Sequence, residues 1–207
     1  DVQVWARDPA AFGKKHQRYE LPLEQKESAK WLRSFDAVTA VQRRLPATTV
    51  VSVGDREADL YELFVAAVSQ PGAPKLLVRA ERDRLVADEQ GHLWAQVESQ
   101  PVAGLQALRV PRRPGQPQRV AELEVRFAPL TLRPPKRKPG LGPVHVWGVQ
   151  ARETAAPAGL EPIEWMLLTT LEVGCFEQAT EKLAWYAQRW QIEVYHRTLK
   201  SGCRIEQ

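Results

Sequence analysis

Cysteine is scarce in this 207-residue chain: there are two, Cys175 and Cys203. They form neither a metal-binding spacing nor a disulfide framework, which points to a reducing cytoplasm. No apolar run approaches the roughly 20 residues that cross a bilayer, and no signal peptide is visible. Internal repeats and low-complexity linkers are also lacking. Neither sign of charge dominates: the formal net charge is +4 and the pI near 9.2, mildly basic and compatible with a polyanionic partner. Hydrophobic residues at 43% and charged residues at 26% exclude a largely disordered chain. The length suits one sizeable core, or one core with an insertion. Tryptophan is the abundant exception. Seven Trp call for deep apolar walls or flat ligands to stack on.

Taken in order, Val2, Val4 and Ala6 alternate as in a short strand, and residues 8–20 read as a polar loop. Residues 26–41 carry apolar positions at helical spacing, ended by Leu45-Pro46. Residues 48–53 are a β-branched run without alternation, the pattern of a strand buried on both faces. It stops at Gly54-Asp55, and a helix is expected at once, because Leu60, Leu63, Phe64, Ala67 and Val68 repeat as i, i+3, i+4, i+7, i+8. Pro71-Gly72 closes that helix, and residues 75–80 form the next buried strand. Strand, helix and strand make a crossover unit with a parallel pair.

From residue 81 to 162 the pattern changes to short, partly alternating apolar stretches cut by Pro and Gly, expected to be an antiparallel β insertion. Between Arg109 and Lys138 it holds nine Lys or Arg against two Glu, including Arg112-Arg113 and Lys136-Arg137-Lys138. These are either solvated basic loops or a phosphate-contacting surface. Residues 165–170 read as a last strand, and residue 177 onward as a long helix without Gly or Pro until Gly202.

That helix carries Tyr186, Arg189, Glu193 and Lys200, spaced by three, four and seven residues and therefore on one stripe. The stripe is either a solvated face with i,i+4 ion pairs or an acid that holds a metal beside cations that hold phosphate. Trp185, Trp190 and Tyr195 on the same helix weigh against a merely solvated face. A second carboxylate, Asp55, lies at the carboxyl end of a buried strand, where α/β sheets bind ligands. There it either caps the following helix or joins Glu193 in a hard oxygen set of the kind Mg²⁺ prefers.

The block Gly54-Asp55-Arg56-Glu57-Ala58-Asp59 followed by a helix, together with Tyr186-x2-Arg189-x3-Glu193-x6-Lys200, resembles the DDE transposases of bacterial insertion sequences. The likeness is to the cut-and-paste branch with the Tyr-Arg-Glu-Lys signature, and it extends over essentially the whole chain. It implies an α/β, RNase H-like fold: a mixed sheet flanked by helices, interrupted by an antiparallel β-rich insertion. The core would comprise residues 1–80 and 164–207, with the insertion at 81–163. The implied function is DNA transposition, a metal-dependent cleavage and strand transfer with two Mg²⁺ or Mn²⁺ ions. Asp55 and Glu193 would be two of three metal-holding catalytic carboxylates. Tyr186, Arg189 and Lys200 would grip DNA phosphates, with Arg79 and Arg197 as further DNA contacts, and Trp165 would stack on a flipped base. The implied partners are double-stranded DNA (terminal inverted repeats and target) and a second copy of the protein, in a bacterial cytoplasm at the nucleoid. The third carboxylate is expected upstream of residue 1, since Asp1, Asp8 and Asp36 do not stand in its context. The chain thus reads as a fragment, not expected to cleave efficiently alone. A non-catalytic DNA-binding remnant is the alternative.

Overall fold

Two strand runs set the frame of the fold, but the first is not buried on both faces as expected. Thr48 and Thr49 are exposed and Val51, Ser52 and Val53 only half-buried, whereas Leu76, Leu77 and Val78 of the second are fully buried. A computed structural model describes residues 26, 28–87, 91–112, 116–138 and 140–203; the strand expected at residues 2–6, the loop at 8–20, Asp1 and Asp8 lie outside them. Strand β1 (Val51–Gly54) pairs in parallel with β2 (Lys75–Arg79), as the crossover unit requires. On β2, Leu76 and Val78 enter one core and Leu77 the other. That is why the run shows no alternation.

Helix α1 (Ala29–Arg44) precedes β1 and extends three residues beyond the expected end. It stops at Leu45 because a residue before proline disfavours helical backbone. The Gln42 side chain then fastens the connection to β1, donating to the Leu45 and Thr48 carbonyls and accepting from Val50 N–H. The helix expected directly after Gly54 is delayed. A 3₁₀ turn (Arg56–Ala58) comes first, and α2 (Tyr61–Val68) begins only after it. The delay follows from Asp59, whose buried carboxylate accepts from Glu81 N–H, Arg82 N–H and the Arg84 guanidinium. Those bonds hold the turn against the segment after β2.

The β-rich stretch contributes β3 (Gly104–Val110), β4 (Arg119–Leu132) and β5 (Val144–Glu153), all antiparallel. Strand β6 (Glu164–Thr169) lies between β5 and β2, antiparallel to both. The result is one six-stranded mixed sheet of order β1-β2-β6-β5-β4-β3. A short helix, α3 (Leu93–Glu98), packs on β4 and β5; at six residues it is too short to announce itself by periodicity.

Helices on both sides of the sheet produce two cores. One gathers Phe35, Tyr61, Phe64, Leu93 and Val97 with Leu130, Val146 and Leu168. The other gathers Leu123, Val125, Val149 and Leu167 with Ala179, Leu183 and Tyr186 of α4 (Phe176–Gln188). The long strand β4 changes its buried face along its length. Ala121, Leu123 and Val125 pack on the α4 side, whereas Ala128, Leu130 and Leu132 pack on the α3 side. Pairing with β5 runs on without a slip, so the change comes from which helix covers which end. That explains the partial alternation in the sequence.

The long carboxyl-terminal helix is not continuous. It divides into α4, α5 (Gln191–Arg197) and a π turn (Thr198–Gly202). Arg189 and Trp190 keep right-handed helical backbone, but the hydrogen bonds there tighten to i→i−3: Arg189 N–H to Tyr186, Ile192 N–H to Arg189 and Glu193 N–H to Trp190. The helical run ends at Gly202, as expected. Among the described residues no helix is long and apolar enough to cross a membrane.

Candidate functional site

Along α4 the buried residues are Ala179, Lys182, Leu183 and Tyr186, an i, i+3, i+4, i+7 stripe that seats the helix on the sheet. Tyr186 is the last of these. Its ring meets Trp165 of β6 edge to face, with centroids 5.1 Å apart, so two aromatics form the floor where α4 leaves the core. One turn later Arg189 emerges, its guanidinium 6.0 Å from the Tyr186 ring centre.

Arg189 joins the two predicted carboxylates. Its Nη2 donates to Glu193 Oε1 at 2.6 Å, and its Nη1 stands 3.7 Å from Asp55 Oδ2. Burial alone would make the Arg189 guanidinium easier to deprotonate. The hydrogen bond with Glu193 and the neighbouring Tyr186, Glu193 and Asp55 more than offset this, leaving its pKa raised. Of the two roles its position allowed, Asp55 shows the cap, and its other oxygen meets an arginine. Oδ1 accepts Glu57 N–H at 3.0 Å, capping the 3₁₀ turn, while Oδ2 faces Arg189.

The remaining charges of the Asp55–Asp59 block serve other ends. Asp59 is the buried partner of Arg84, and Glu57 pairs with Lys30 of α1 at 2.7 Å. These structural tasks account for most of the charge in the motif, and residue types alone could not separate them from Asp55.

A cleft of about 900 Å³ opens beside Arg189. Trp165, Tyr186, Arg189, Trp190, Glu193 and Arg197 line one side, and Arg109, Arg112, Gln116 and Arg119 of the β3–β4 hairpin line another. Arg79, at the end of β2, also lines it and donates to the Glu164 carbonyl at 2.8 Å. Six arginines face three glutamates (Glu161, Glu164 and Glu193) across this space. The Arg109, Arg119 and Trp190 contributions were not singled out from the sequence. Trp190 was visible only as one aromatic among several, and the two arginines only within a basic run.

Lys200 does not share the cleft: the tightened joint at Arg189–Trp190 and the wide π turn break the regular 3.6-residue stripe, leaving Lys200 exposed within the π turn. The basic run between Arg109 and Lys138 is not one surface either. Arg112 lines the cleft, but Lys136, Arg137 and Lys138 follow the opposite end of β4, and Lys138 pairs with Glu62 of α2. Fourteen residues of extended strand at about 3.3 Å each hold the two groups more than about 40 Å apart along the chain. Arg113 lies outside the described residues.

Among the described residues no group of three or more His, Cys, Asp or Glu converges as a metal site. Asp36 is exposed on α1. Two carboxylates do converge, on one guanidinium, and they are hard oxygen donors. Mg²⁺ is commonly held by only one or two carboxylates, completed by water and substrate phosphate oxygens. The donors therefore fit such an ion, provided Arg189 moves aside. No family model matches the chain.

Proposed function

We propose that the protein acts on DNA by metal-dependent phosphoryl transfer of the transposase type, on an RNase H-like core with a β-rich insertion. The observation that carries this reading is the convergence of a strand-end Asp55 and a helical Glu193 on Arg189, beside an arginine-lined cleft floored by aromatics. Asp55 and Glu193 would hold Mg²⁺ or Mn²⁺, and the ion, when bound, supplies activation of an attacking oxygen and neutralisation of phosphate charge. The protein's own side chains do the rest. Arg79, Arg109, Arg112 and Arg197 bind phosphate oxygens; Arg offers several N–H donors in a planar fork, which suits that task better than a Lys point charge. Trp165, packed edge to face on Tyr186, presents an aromatic wall to an unstacked base. The partners of this reading are duplex DNA and a second copy of the chain.

The non-catalytic DNA-binding reading also has an observation in its favour: two carboxylates, already bridged by a cation, with no third beside them among the described residues. Plasmid nicking separates the two. In the enzymatic reading the full-length gene product nicks supercoiled DNA with MgCl₂ or MnCl₂, and its Glu193→Gln and Asp55→Asn variants lose that nicking while still retarding DNA in a gel. Nicking by Glu193→Gln at the parental rate would remove Glu193 from the site. DNA retardation without nicking by any protein favours binding alone.

A further inference from the structure

Arg189 contacts both carboxylates that would hold a divalent cation, Asp55 and Glu193. We propose that Arg189 is a resident counter-ion that an incoming divalent cation displaces, so that cation binding at Asp55 and Glu193 is coupled to phosphate binding by the released guanidinium. This rests on the metal-dependent reading above.

Three observations carry it. Asp55 has already committed Oδ1 to Glu57 N–H, so Oδ2 is its cation-facing oxygen, and Oδ2 is the oxygen turned to Arg189. A divalent ion and the guanidinium therefore compete for the same atom. Arg189, in turn, has Nη1 directed at one carboxylate and Nη2 at the other. It cannot offer that same fork to a phosphate until the carboxylates find another cation. Of the other cleft arginines, Arg119 is engaged by Glu153 and one Arg79 nitrogen, Nη2, by the Glu164 carbonyl. Neither stands in for Arg189 between Asp55 and Glu193. Displacement exchanges two ion pairs, Arg189 with Asp55 and with Glu193, for cation with carboxylates and guanidinium with phosphate. Linkage then requires each ligand to strengthen the other by the same factor.

Titration of MnCl₂ into the full chain, with free Mn²⁺ read by its paramagnetic resonance signal, tests this. Without polyanion, Arg189→Ala should bind Mn²⁺ about tenfold more tightly than the parent, because the competing cation is gone. Arg189→Lys, which keeps the charge but not the fork, should fall between them. A saturating short single-stranded oligonucleotide should tighten Mn²⁺ binding to the parent by about fivefold or more, within the usual range of coupling between sites. It should do so distinctly less for Arg189→Ala. Thermal melts followed by circular dichroism identify folded variants, and Arg189→Lys decides the matter if Arg189→Ala does not fold. If Arg189→Ala, or Arg189→Lys in its place, binds Mn²⁺ no better than the parent while Asp55→Asn and Glu193→Gln abolish binding, the exchange is wrong and the metal site stands. If those two carboxamide variants bind Mn²⁺ like the parent, the metal reading fails and the exchange fails with it.

Discussion

Asp59 and Arg84 close on one another inside the protein, Nη2 of the arginine 2.6 Å from Oδ1 of the aspartate, with the side chains 7% and 0% exposed. The same arginine also donates to the Asp59 carbonyl, and the second carboxylate oxygen takes two backbone N–H groups. Removing one partner of a buried, hydrogen-bonded pair strands the other charge and costs about 3–5 kcal/mol. Asp59→Ala should therefore lose that much in urea unfolding, and Asp59→Asn, which keeps part of the hydrogen bonding, should lose less.

Glu153 gives the pH dependence. Its carboxylate is buried, accepts two hydrogen bonds from Arg119 and one from Ile163 N–H. The Arg119 hydrogen bond is the largest cause holding its pKa below the ordinary 4.5; Ile163 N–H and the Arg119 charge act in the same direction, against burial. A carboxyl depressed in the folded state contributes stability above its unfolded pKa and loses it as pH falls through the folded value. Stability should thus fall as acid is added below about pH 4.5. Glu153→Gln should be less stable at pH 7, by about 1.5–3 kcal/mol for the charged hydrogen bonds lost, and should show a shallower acid limb in melting-temperature scans.

The two ends of β4 should differ in DNA binding. Each phosphate contact removed lowers the slope of log affinity against log salt by about 1. Arg109→Gln with Arg112→Gln should flatten that slope by about 2, measured by fluorescence anisotropy of a labelled duplex. Lys136→Gln with Arg137→Gln should leave it unchanged, because those residues lie at the far end of the strand.

Gly148 of β5 is a packing requirement. A Cβ there would stand 2.7 Å from Leu130 Cδ1 and 2.8 Å from Val97 Cγ2, so the side chains of Leu130 and Val97 would have to shift. Gly148→Ala should cost about 1–3 kcal/mol, the range for overpacking a filled core, read by calorimetry. Gly72→Ala, at a position with open space but φ of 73°, should act instead through backbone strain.

The sequence made some of these relationships readable and hid others, for definite reasons. The parallel β1–β2 pair was legible because two apolar strand runs flank one amphipathic helical run, although the burial of the first on both faces was overestimated: Val51 and Val53 are only half-buried. The Tyr186–Arg189–Glu193 cluster was legible because three- and four-residue steps survive even a tightened helical turn. Lys200 stands apart from that cluster because it lies seven residues beyond Glu193, within a π turn that departs from 3.6 residues per turn. Whether the basic run between Arg109 and Lys138 is one surface stayed open in the sequence because composition does not record that a fourteen-residue strand separates its ends. The delay of α2 depended on Asp59 meeting Arg84, a contact across 25 residues that no local pattern announces.

The joint at Arg189–Trp190 has a consequence of its own. On its amino side Tyr186 is rooted in the core; on its carboxyl side α5 buries no residue at all. Glu193 is thus carried like the free jaw of a vice whose fixed jaw bears Trp165 and Tyr186, with Arg189 at the pivot. The gap between the jaws is set by backbone torsion at two residues. Substitutions at position 190 that change helical propensity should therefore alter the separation of Asp55 and Glu193 while leaving both carboxylates intact.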